Sequence, residues 1–156
     1  FSLIGILVYI WLRFQWNFAL GAIVALIHDV ILTLGFFSIF QFEFNLATVA
    51  AVLTIAGYSI NDTVVIYDRI RESMRKYKQI SFDEVINISL NGTLSRTLMT
   101  SLTTLMALLA LFIFGGIVIS SFIIALIWGV LIGTYSSLYV ASPILTYLKQ
   151  EKRQIN

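Results

Sequence analysis

Two polar residues stand where an apolar run gives way to dense charge: Asn61 and Asp62, in the stretch 57–72, GYSINDTVVIYDRIRE. A carboxylate near the bilayer centre costs roughly 2.5–3.5 kcal/mol on insertion scales, so it faces a bundle interior or a wet path and marks function. Its chemistry is the uptake and release of a proton. The matching cation is Arg96, just inside the next long apolar segment. At about 1.5 Å rise per residue, both lie within about 10 Å of the same end of their segments. Equal depth suits an intramembrane ion pair, because each charge is costly alone and the two offset one another when hydrogen-bonded. Such a pair serves either as a proton-responsive switch or as a static bridge that fixes helix register.

The neighbouring polar residues extend this candidate site. Gly92, Thr93, Thr100, Thr103 and Thr104 recur beside Arg96, and Thr54, Tyr58, Ser59 and Asn61 accompany Asp62. Hydroxyls in this position line a wet path or hold helices together. Asp29, with Thr33 one turn on, is a second candidate near the middle of its own apolar run, whereas His28 beside it points about 100° away around the helix. An imidazole near a proton route is titratable, but a lone histidine more often packs and hydrogen-bonds. Asp68, Arg69, Arg71 and Glu72 read as the solvated end of a helix. Gly129, Gly133 and Ser137 repeat every fourth residue, the small-residue pattern of close helix packing.

Hydrolytic chemistry finds no support. There is no GxSxG elbow and no cysteine, and Asp62 lies in GYSIND rather than in a GxGD-like protease site. Without cysteine, and with His28 as the lone histidine, no metal site or cofactor is expected. The Asn-x-Ser/Thr matches at Asn61, Asn87 and Asn91 fall in the membrane or on its cytoplasmic side, where glycosylation has no access. The net charge of +2 is too slight to imply nucleic acid.

The elements that must position these residues follow from composition. A chain of 156 residues that is 59% hydrophobic and 12% charged cannot hide its apolar surface in one small soluble core. It is an integral membrane protein, and its first partner is the lipid bilayer. The absence of any alternating strand pattern predicts an all-α, polytopic transmembrane bundle. Five crossings are expected: an incomplete one at 1–12, then 18–40, 46–67, 93–114 and 117–138, the last running on past Pro143. The opening run lacks Met and is too short to span, so the chain is expected to be a transmembrane-domain fragment, 1–156. Ser81 and Glu84 form a capping-box pattern ahead of a short amphipathic interfacial helix. Arg13, the basic cluster at 69–78 and Lys149, Lys152 and Arg153 fall on one side, with Glu43 opposite, so the positive-inside rule makes the basic side cytoplasmic.

GYSINDTVVIYDRIRE at 57–72, LNGTLSRTLMTS at 90–101 and AxxHDV within 25–30 resemble the SecF members of the SecD/SecF protein-export family. The resemblance covers essentially the whole chain in order. It implies the resistance-nodulation-division fold, in which six-helix halves pair about a pseudo-two-fold, and residence in the bacterial inner membrane. It also implies help in the late stage of Sec-dependent translocation, driven by the proton gradient. The implied partners are a SecD-like subunit, the Sec translocation channel and the exported preprotein. By motif, Asp62 matches the family's proton-path carboxylate, Arg96 its partner arginine, and Asp29 a further acidic position. The family's first span and periplasmic domain have no counterpart in this sequence. Two other readings remain open: a different proton- or ion-coupled transporter half, and a non-transporting assembly scaffold in which Asp62 and Arg96 only hold register.

Overall fold

The computed structural model describes residues 1–14, 16–42 and 45–154, with the side chains of all of these except 2, 3, 7, 118 and 149–154. Glu43 and the side chains of Lys149, Lys152 and Arg153, which entered the topology argument, therefore lie outside the described residues. The element order is α1 (Ser2–Arg13), α2 (Trp16–Ile39), α3 (Leu46–Lys76), α4 (Phe82–Phe114), α5 (Ile117–Ser136), a π-helical turn (Ser137–Ala141) and α6 (Ser142–Gln154). No strand occurs among the described residues. Among the described residues four segments are long and apolar enough to cross a bilayer, and α1 is a shorter apolar helix. This is the expected all-α bundle, and helices are the solution hydrocarbon demands, since each segment must satisfy its own backbone.

Local chemistry sets the helix ends. Asn45 and Thr48 form a reciprocal capping box at the start of α3. Ser81 caps α4 by accepting from the Glu84 amide, with Asp83 and Glu84 favourably placed in the first turn. The short interfacial helix expected after Ser81 is not a separate element: its residues are the first turns of the continuous 33-residue α4. Nothing between Ser81 and Phe114 breaks the run, because Asn91 and Gly92 are tolerated within a helix. At the far end Gly116 takes φ +79°, the left-handed conformation that lets α4 turn directly into α5.

The last of the four spanning segments widens at Ser137–Ala141, and Pro143 explains why. Proline has no N–H to give the carbonyl one turn back, and its ring crowds that carbonyl. Side chains serve the loosened backbone: the Tyr67 hydroxyl donates to the Ala141 carbonyl at 2.9 Å and Ser142 to that of Ser137 at 3.2 Å. Gly21 admits the Tyr67 phenol, which a Cβ there would strike.

α3 is the central helix, packed against α2, α4 and α5. The core has apolar ends around a polar middle. At one end Ile10, Phe14, Phe18, Ile66, Tyr67 and Leu145 are buried together. Phe37, Ala51 and Ala125 form a smaller cluster elsewhere, next to Phe36, whose ring stacks on Trp128 at 4.6 Å. The expected packing role of Gly129 and Gly133 holds. A Cβ on Gly129 would run into the Ile55 side chain, and one on Gly133 would come within 3.1 Å of Ser59 Cβ. Those two glycines let α5 approach α3 closely enough for hydroxyl contacts across the seam.

Candidate functional site: two buried carboxylates

Asp29 and Asp62 are both buried, at 0% and 5% exposure, but their surroundings differ. Asp29 lies where α2, α3 and α5 meet. Ser59 of α3 donates to its Oδ2 at 2.5 Å, and Ser136 of α5 donates to the same oxygen at 2.7 Å. His28 Nδ1 lies 3.0 Å from Oδ1, and the Thr33 hydroxyl donates to the Asp29 carbonyl at 2.7 Å. Both carboxyl oxygens are thus engaged. The network continues along the α3–α5 seam: Thr63 and Ser137 share a hydrogen bond at 2.9 Å, and both hydroxyls reach the Ser59 carbonyl. A carboxylate held by several donors in a dry core is immobilised, because releasing it strands the hydroxyls as well.

Asp62 stands one turn along α3 from Ser59. Its Oδ2 is buried and has no hydrogen-bond partner among the described residues. A buried polar atom left open calls for an explanation, and a group that must change partners supplies one. Arg96 lies on α4, which packs against α3, yet no ion pair joins it to Asp62 among the described residues. Arg96 is instead exposed and lines a shallow pocket of about 320 Å³ with Val65, Asp68, Arg69, Glu72 and Thr93. The two groups expected as a pair are brought to one place on the bundle without being joined.

The other residues singled out from the sequence divide between these settings. Tyr58 is half-buried and its hydroxyl reaches Thr104 Oγ1 at 3.4 Å. Ser59 serves Asp29 rather than Asp62. Asn61 is exposed. Thr100 and Thr103 are also exposed, and their hydroxyls donate to carbonyls of their own helix. The buried stripe of α4 is a different one, Ser89, Thr93, Thr97 and Ser101, with Ser101 bonded to Thr134 of α5 at 2.6 Å. Its four-residue spacing was readable in the sequence. His28, placed on another face by the helical wheel, reaches back to its neighbour Asp29 because its ring spans the intervening arc. No group of three or more potential metal-ligating side chains gathers among the described residues.

Residues 1–151 match a family model described as protein export membrane protein SecD/SecF, C-terminal. The chain is 57% identical over 152 residues to the protein translocase subunit SecF of Rickettsia rickettsii, covering 97% of this chain and 49% of that protein. It is 60% identical over 144 residues to the subunit of the same name from Cereibacter sphaeroides, covering 92% and 44%. A crystal structure of SecDF in a super-membrane-facing form superimposes with a TM-score of 0.90 at 46% identity, over 96% of this chain and 20% of that one. SecDF from Thermus, described as a translocon-associated membrane protein, gives 0.89 at 47% identity, over 93% and 20%. The chain spans about half the length of the curated relatives it matches.

Proposed function

The chain belongs to the SecD/SecF family of protein-export membrane proteins, and from that premise we propose that it is the membrane half of a SecF-type translocase subunit, coupled to the proton gradient through Asp62 and Arg96. The observation that carries this reading is the open Oδ2 of a buried carboxyl group on α3, the helix packed against the α4 that bears Arg96. A neutral carboxyl needs no counter-ion, so the unjoined arrangement is the one protonation would favour. Loss of the proton would draw Arg96 onto Asp62, where its planar fork can hold a carboxylate through two bonds. α3 and α4 would repack between the two conditions. Proton entry on one side and release on the other would then drive movement in the rest of the subunit, provided each condition stabilises a different packing.

The subunit would act with a SecD-like partner, the Sec translocation channel and an exported preprotein, in the bacterial inner membrane with its basic end toward the cytoplasm. The outer face of α4 supports a partner in the membrane, since Met99, Leu102, Met106 and Leu109 are exposed beside Arg96, Thr100 and Thr103. Asp29 stands in this scheme as the fixed acid near the relay. The role is coupling and does not call for a catalytic residue.

Asp62→Asn tests the proposal, because it keeps shape while removing the titratable charge. In inverted vesicles carrying the full-length protein and its partner, proton entry under an imposed pH gradient and export of a Sec client should both fail while the complex still assembles. Arg96→Lys should reduce both without abolishing them. If Asp62→Asn leaves both intact, the pair is structural and the coupling reading is wrong.

A further inference from the structure

The basic end of the bundle holds charge that the coupling scheme does not use. Asp68 accepts from Arg13 at 2.5 Å and lies 3.8 Å from Arg71, while Glu72 pairs with Arg69 at 2.6 Å. Arg75 and Lys78 have no acidic partner among the described residues. These unpaired cations are not scattered. Together with Arg71 they line a pocket of about 260 Å³ whose remaining walls are Phe18 and Met74. No carboxylate is among its lining residues, in contrast to the adjoining pocket, where Asp68 and Glu72 sit among the basic residues.

We propose that this pocket binds the phosphate diester of an acidic phospholipid. Positive-inside topology explains why basic residues collect at one end of the bundle, but it does not require them to surround a concavity with an apolar wall. The position of the pocket selects a lipid over other anions. Phe18 belongs to the first turn of the spanning helix α2, and exposed Trp16 beside it is a residue type that settles at headgroup depth. The N-terminal end of α2 adds the positive end of a helix dipole. Arg71, Arg75 and Lys78 would hold the phosphate oxygens, with half-buried Met74 toward the first carbons of the chains and Phe18 forming the closed floor behind it. The proposal stands apart from the translocation reading, because its test reads lipid retention and not transport.

Native mass spectrometry of the full-length protein purified with its partner is the test, with phosphatidylglycerol titrated against phosphatidylcholine. Phosphatidylglycerol should be retained in preference. The variant R75Q/K78Q should lower its binding constant about thirtyfold, as expected when two basic residues beside an acidic lipid are lost. R75K/K78R, which keeps the charge, should retain it. R69Q/K76Q removes the same charge from the same helix end outside the pocket and should change binding little. Equal retention of the two lipids, or equal loss in R69Q/K76Q, would overturn the site. Displacement of the lipid by inorganic phosphate at matched concentration would overturn the lipid assignment in favour of a free anion.

Discussion

Asp29 and Asp62 are two buried residues of one type in one bundle, Asp29 on α2 and bonded to Ser59, one helical turn along α3 from Asp62. One has hydrogen-bond contacts at both carboxyl oxygens and the other leaves a buried oxygen open. Burial alone therefore does not distinguish a structural carboxylate from a working one. The proposed division of roles rests on satisfaction instead: releasing Asp29 would strand the hydroxyls that hold it, whereas Asp62 has an open atom with which to take a new partner.

The largest expected effect sharpens this contrast. Asp29→Ala removes the acceptor that joins α2, α3 and α5 and should lower stability by about 3 kcal/mol, the scale of leaving buried hydroxyl donors without a partner. Asp62→Asn has no bond at Oδ2 to lose and should leave the unfolding midpoint nearly unchanged. Denaturation of the purified full-length protein measures both. The contrast collapses if Asp62→Asn unfolds the protein as readily as Asp29→Ala.

A middling effect is expected where α5 approaches α3 beside the Asp29 network. Gly129→Ala puts a methyl group into Ile55, a stiff β-branched side chain, and overpacking of this kind costs about 1–3 kcal/mol. Ile55→Val in the same chain should recover part of the loss by vacating Cδ1, one of the three Ile55 atoms the new methyl meets. Were Gly129→Ala neutral by itself, the seam would be looser than the Ser59 and Ser136 bonds require, and Asp29 would not be an anchor.

The fold was legible because hydrocarbon leaves so few options: run length gave the spanning segments, and the Ser81 and Glu84 pattern marked a capped helix start that is that of α4. Asp62 and Arg96 were legible for the same reason, as charges out of place. The partners of Asp29 were not, because Ser59 is 30 residues and Ser136 is 107 residues away in the chain. Serine in a membrane helix carries no mark of what it bonds. Local hydropathy also suggested a helix at 82–90 separate from the span, although an amphipathic start and an apolar continuation join without a break.

The smallest expected effect concerns the hydroxyl face of α4, where the sequence favoured Thr100 and Thr103 and the buried side chains are Thr97 and Ser101. A hydroxyl that bonds only its own helix contributes nothing across an interface, and the carbonyls it reaches keep their helical partners when it is removed. Thr100→Val with Thr103→Val keeps the branched shape and should change stability by less than about 0.5 kcal/mol. Ser101→Ala breaks the 2.6 Å link to Thr134 and should cost about 0.6 kcal/mol, the usual worth of an interhelical hydrogen bond in a bilayer. Unfolding measured side by side tests that order. Proton entry gives the decisive reading: if the valine pair abolishes it while Ser101→Ala does not, water runs along the outer face of α4, and Asp62 is reached from the side where a partner would sit.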